Sequence, residues 1–217
     1  MRVAVLASGS GTILEALLAA RLPIAVVAVD RPCWAASAAS GEGRVVEHVV
    51  REDFGPGFAR DAYTERLTSA LLANRVDLVA MAGFGTVLGE AIFDAFGSEV
   101  VNTHPALLPA FRGWHAVEAA LAAGVETTGC TVHVATPAVD DGPILAQESV
   151  PVLAGDDVAS LHERIKSVER RLYPATLASV VDAGSVAALL GELTPLGPAA
   201  GASSSSGAAR HRGGSVS

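Results

Sequence analysis

The chain has 217 residues, half of them apolar and 18% charged, which supplies one domain with a sizeable buried core and excludes a chain disordered throughout. A formal net charge of −8 excludes the broad basic field that holds nucleic acid irrespective of sequence, so an anionic ligand must be gripped by a few local donors. No apolar run approaches the ~18 residues needed to cross a bilayer, and neither nucleic acid nor membrane is an expected partner.

Short apolar strands alternate with helices along the chain, the pattern of an α/β domain. The opening "MRVAVLASGSG" holds an apolar run shorter than the ~7 to 15 residues of a secretory core, and reads as a first strand, Val3 to Ala7, of a cytoplasmic protein. It passes through Ser8, Gly9, Ser10, Gly11 and Thr12 into a helix. Two readings stand side by side here. Free N–H groups and the helix dipole suit a phosphate, while a tight turn capped by Ser or Thr needs no ligand. Asp30 follows the next strand, Ile24 to Val29, where a dinucleotide fold would hold ribose, but Leu14 occupies the place of that fingerprint's third small residue. The lysine of a nucleoside triphosphate loop is also missing, since Lys166 is the only lysine in the chain.

A strand over Val45 to Val50 precedes a helix whose Tyr63, Leu67, Ala70 and Leu71 share one face. Strands over Leu78 to Ala82 and Val100 to Thr103 follow. On the latter, Asn102 and the adjoining His104 point the same way, and Pro105 stops the strand at once. An amide and an imidazole at the carboxyl end of a parallel strand face a crevice, where they suit a carbonyl oxygen that becomes an oxyanion. Strands over Cys130 to Ala135 and Ile144 to Val150 flank a turn carrying Asp140 and Asp141, and spacing alone does not choose between the two carboxylates.

The last long helix shows Val158, Leu161, Ile165, Val168 and Leu172 on one stripe behind the capping candidates Asp156 and Asp157. Its opposite face, with His162, Lys166, Glu169 and Arg170, is expected to be solvated. The folded domain is expected over residues 1–190, and a low-complexity, disordered tail over 191–217. These elements predict an α/β fold: a Rossmann-like open, mostly parallel sheet with helices on both faces.

Cys33 and Cys130 lack metal spacing and receive no role. His133 could border the crevice, whereas His48, His115, His162 and His211 are read as surface or packing residues. A metal centre built from His104, His133 and Asp140 has no fixed ligand geometry, and no metal is expected.

The segments "SGSGT", "AGF", "NTHPALLPAFRG", "VDDGPILAQ", "VPVLAGD" and "HERIKSVERRLYP" occur in that order between about Met1 and Val181. In this the chain resembles the phosphoribosylglycinamide formyltransferase family of folate-dependent enzymes. The resemblance implies formyl transfer in purine biosynthesis from 10-formyltetrahydrofolate to the amine of glycinamide ribonucleotide, by a monomer or homodimer whose partners are small molecules. It assigns catalysis to Asn102, His104 and Asp140, with Asp140 keeping His104 protonated. It implies that Gly11, Thr12, Ile13 and Arg60 hold the ribonucleotide phosphate and that Glu169 lies near the amine. The pterin slot falls to Thr86, Val87 and Leu88 and to the loop of Thr136, Pro137, Ala138 and Val139. Two departures stand out: Ile13 replaces the family's asparagine, and Gly85-Thr86 replace Met-Arg. A sugar-nucleotide formyltransferase and a non-catalytic nucleotide-binding module are the alternatives.

Overall fold

A computed structural model describes residues 1–193; the tail expected from residue 191, with His211, lies outside the described residues apart from its first three positions. Seven strands, β1 (Val3–Ala7), β2 (Ile24–Val29), β3 (Val45–His48), β4 (Leu78–Met81), β5 (Val100–His104), β6 (Thr127–Val134) and β7 (Ile144–Pro151), form one sheet in the order β3-β2-β1-β4-β5-β6-β7. Strands β1 to β5 pair in parallel, β6 runs antiparallel to β5, and β7 antiparallel to β6. The helices are α1 (Thr12–Ala19), α2 (Trp34–Gly41), α3 (Arg60–Ala73), α4 (Glu90–Phe96), α5 (Ala116–Ala122), α6 (Val158–Ala183) and α7 (Val186–Leu193). The mostly parallel sheet with helices on both faces is therefore what the chain forms. No single helix among the described residues is long and apolar enough to cross a membrane.

Alternation along each strand sorts the core into two halves. Val3, Val5 and Ala7 pack with Leu14, Leu17, Tyr173 and Leu177 on one face, while Ala4 and Leu6 pack with Tyr63, Leu67, Leu71 and Ile92 on the other. Burial on both sides is why β1 and β2 read as continuous apolar runs. Strand β3 stops at His48, two residues short of the predicted end, because it is a partly exposed edge strand.

The stripe on α6 begins later than its sequence implies. Leu161 and Ile165 are buried against Val117, Cys130 and Val150, but Val158 is exposed in the entering turn, and Tyr173 joins the partly buried Leu172 further on. Of the two capping candidates, Asp157 is the cap: its carboxylate accepts from the Ser160 N–H at 2.8 Å, and the Asp157 N–H donates to Ser160 Oγ at 3.0 Å. Asp156 instead takes the guanidinium of Arg164 at 2.7 and 2.9 Å.

Tyr173 is fully buried, and its hydroxyl donates to the Val101 carbonyl at 2.8 Å, fixing α6 against β5. Tyr173→Phe should lower stability by about 1 kcal/mol, read from chemical unfolding, because the Val101 carbonyl loses a partner where water does not reach.

The strand order reverses at β1: β2 and β3 lie to one side of it, β4 and β5 to the other. Loops leaving the carboxyl ends of β1 and β4 consequently diverge and leave a crevice between them. The last residue pair between β4 and β5 is Met81 with Asn102, so Thr103 and His104 extend past β4 into that opening.

Candidate active site

The crevice holds a cavity of about 430 Å³, a size suited to a small organic ligand. Its walls are the loop after β1, the loop after β4, the end of β5, the β6–β7 loop and one face of α6.

Asn102 and His104 project from the same side of β5. The antiparallel register places His133 directly opposite Asn102, so it shares that side, and Asn102 Nδ2 lies 3.4 Å from His133 Nε2. The β6–β7 loop leaves the sheet beside Val100 and folds back so that Asp140 Oδ2 is 3.2 Å from His104 Nδ1 and Asp140 Oδ1 is 3.5 Å from His133 Nε2. The Gly113 N–H donates to Asp140 Oδ2 at 2.8 Å. Gly142 permits this return, since a Cβ there would collide with the Val134 carbonyl. Asp140 itself takes φ of 53°, a left-handed conformation strained for a residue with a side chain and concentrated at functional sites. Asp141 turns away to Arg112, 2.5 Å distant, with both side chains about half exposed. Geometry thus separates two carboxylates that spacing could not.

Electrostatics in this cluster oppose one another. Burial lowers the pKa of His104 below the ordinary histidine value, although the Phe111 carbonyl, 2.8 Å from Nε2, and Asp140 both favour the cation. Asp140 thus acts on the ring in the expected sense, favouring its charged form, while burial opposes it. For Asp140 the balance falls the other way. Burial pushes it up, but His133, the Gly113 N–H and His104 bring it below the usual aspartate value. Among the described residues no group of three or more His, Cys, Asp or Glu side chains is arranged to hold a metal ion.

Across the cavity, Gly11 is the N-cap of α1 with φ of 75°, and a Cβ on it would lie 3.1 Å from the Ala35 Cα. Glycine is required for both reasons. No side chain caps this helix, so its leading N–H groups face the crevice without the hydroxyl cap that the alternative reading needs. Thr12 lines the cavity, whereas Ile13, at 7% exposure, directs its side chain into the core and offers the cavity little beyond backbone.

Most of the face of α6 expected to be solvated lies on the cavity: His162, Lys166 and Glu169 line it, and only Arg170 turns outward, to Glu163 at 2.7 Å. Burial pushes Glu169 up to about 7, against the pull of the Thr103 hydroxyl and the charges of Lys166 and Arg170. A charged stripe on an amphipathic helix ordinarily meets water, and for that reason Lys166 carries no site role in the sequence reading. Its i, i+4 and i+7 spacing with His162 and Glu169 was the available signal.

Two assigned residues fall elsewhere. Arg60 opens α3 and lines a second, adjoining cavity with Arg31, Arg51, Phe54 and Phe58, and is not among the residues that line the first. Ala138 does not line the cavity; its carbonyl accepts from Thr136 Oγ1 at 2.9 Å and closes the loop on itself. Thr136, Pro137, Val139, Val87 and Leu88 do line it.

Residues 1–177 match the formyl transferase family. The chain belongs to that family. It is 49% identical over 188 residues to the phosphoribosylglycinamide formyltransferase of Mycobacterium tuberculosis, covering 84% of this chain and 86% of the relative. Among solved structures it is similar to glycinamide ribonucleotide transformylase 1 of Symbiobacterium toebii, with TM-score 0.76, 41% identity and coverage of 81% and 85% of the two chains. The phosphoribosylglycinamide formyltransferase of Bacillus halodurans superposes with TM-score 0.78 at 36% identity, over 83% and 95%.

In this formyl transferase the unusual Thr86 has a visible role. Its side chain is buried and donates to Asp30 Oδ2 at 2.9 Å, while Arg31 holds both oxygens of the same carboxylate at 2.9 and 3.0 Å. Burial raises the Asp30 pKa, but Arg31, Thr86 and Ser8 bring it below the usual value. Asp30 therefore serves the formyl transferase as a fastener for the loop after β4.

Proposed function

We propose that the chain transfers the formyl group of 10-formyltetrahydrofolate to the amine of glycinamide ribonucleotide, acting in the cytoplasm. The observation that carries this reading is the convergence of Asn102, His104 and Asp140 on one cavity with an uncapped helix start and a lysine. Its support from relatives is that the M. tuberculosis enzyme and one solved structure are named phosphoribosylglycinamide formyltransferase and the other glycinamide ribonucleotide transformylase.

On this reading the ribonucleotide phosphate sits on the N–H groups of Gly11 to Ile13, beside the Thr12 hydroxyl. Lys166 supplies the cation in place of Arg60. Glu169 binds the acceptor near its amine. The donor's pterin occupies the slot between the Gly85–Leu88 segment and the Thr136–Asp140 loop. The amine nitrogen attacks the formyl carbon, and the carbonyl oxygen takes the negative charge, which the Asn102 amide and His104 receive.

Nε2 of His104 exchanges the Phe111 carbonyl for this oxygen, and the new charge raises the ring's proton affinity as it develops. The bond from carbon to the folate nitrogen then breaks. One proton leaves the attacking nitrogen and one reaches the folate nitrogen, with Asp140 as the relay.

The test is turnover: purified protein with both substrates should yield formylglycinamide ribonucleotide and tetrahydrofolate. Transfer to a sugar-nucleotide amine instead would assign the chain to the neighbouring activity, and nucleotide binding without transfer would make it a binding module.

Glu169 provides an independent check. Its folded pKa, about 7, lies above the unfolded value, so its favourable contribution is complete below pH 4.5 and disappears as pH rises through 7. Glu169→Gln should thus raise the melting temperature at pH 8 more than at pH 5, and raise KM for the acceptor by roughly tenfold or more. An unchanged acceptor KM would remove Glu169 from the substrate.

A further inference from the structure

Gly85 stands at the lip of the cavity, and its backbone does not explain why it is glycine, because its φ lies outside the left-handed region that disfavours side chains. What a side chain there would meet is Trp114: a Cβ on Gly85 would sit 2.6 Å from the indole Cη2, so the exposed ring would have to swing aside. Trp114 is 71% exposed, so its ring is no part of the core. Its backbone is nonetheless anchored, since the preceding Gly113 N–H donates to Asp140 and the Phe111 carbonyl meets His104. The ring, Gly85 and Val87 form the common edge of the reaction cavity and of the arginine-lined cavity beside it. A large flat surface is thus presented to solvent at the mouth of the site, at a position tied to the catalytic carboxylate, over a residue small enough to admit it.

We propose that Trp114 is a specificity-determining residue whose indole is the face on which a flat aromatic part of the formyl donor packs. The proposal rests on the donor assignment made above. Stacked aromatic pairs gain more than their area alone, and the contact lies away from the reacting carbon, so it binds ground state and transition state alike. Gly85 is its spacer, setting the height of the ring above the loop after β4.

The experiment is steady-state kinetics with 10-formyltetrahydrofolate and glycinamide ribonucleotide on four proteins: unaltered, Trp114→Ala, Gly85→Ala and the double variant, with Trp114→Phe as rescue. Trp114→Ala should raise donor KM about tenfold and leave kcat and acceptor KM within about twofold, and Trp114→Phe should recover most of the loss. Gly85→Ala should raise donor KM alone, by displacing the indole, and add nothing in the Trp114→Ala background. A normal donor KM in Trp114→Ala, or equal effects of Gly85→Ala in both backgrounds, overturns the proposal while leaving the activity intact. Absence of formyl transfer by the unaltered protein overturns both.

Discussion

Replacing His104 with alanine is expected to lower kcat for formyl transfer by a factor of about 100 to 1000, the loss seen when one preorganised oxyanion donor is removed. The ring is buried at the end of β5 and has a partner at each nitrogen, Asp140 at 3.2 Å and the Phe111 carbonyl at 2.8 Å. A side chain so placed cannot be replaced by water without losing direction. The fold should survive, because Asp140 keeps the Gly113 N–H and His133 as partners when the imidazole goes. Single-turnover rates with both substrates bound, together with a thermal melt, separate these outcomes. A variant with the wild-type rate would show that the oxyanion is met by Asn102 and other groups alone.

Asp140→Asn is expected to cost kcat a factor of roughly 100 or more and to move the pH profile as well. An amide cannot relay a proton, and without the negative charge the His104 pKa, already lowered by burial, falls further. The pH above which the rate declines should accordingly shift downward. Stability carries a second signature. Because Asp140 is held below its unfolded value of 3.8, its contribution is present above that pH and disappears as pH falls through the lower folded value. The asparagine variant should lack that acid-side loss. Asp141→Asn should change kcat by no more than about twofold, since a half-exposed pair with Arg112 is worth little. A larger effect at Asp141 than at Asp140 would transfer the relay to the wrong neighbour and refute the assignment.

The parallel sheet was legible because β1, β2 and β4 are buried on both faces and bounded by turns. Asn102 and His104 were legible because strand parity and Pro105 are local facts. Spacing did not choose Asp140 over Asp141, and only the resemblance named it, since its placement depends on a left-handed backbone and on Gly142 clearing the Val134 carbonyl, both products of the folded loop. His133 needed the register between β5 and β6, which no single stretch of sequence contains. Arg60 was legible as the start of a helix, but that it lines the neighbouring cavity beside Gly85, Val87 and Trp114 depends on how the loops after β3 and β4 meet. Lys166 was hidden by a rule that is usually right about charged helix faces.

The hydrogen bond from Tyr173 to Val101 has a consequence for how acceptor choice could change. Lys166 and Glu169 sit less than two turns before that anchor, whereas the slot proposed for the pterin is lined by loops elsewhere. One inserted residue between them would swing both groups by about 100°, and with them Leu161 and Ile165 out of their packing against Val117, Cys130 and Val150. On the proposed reading, acceptor choice can therefore change through the side chains at these two positions and not through the register of the helix.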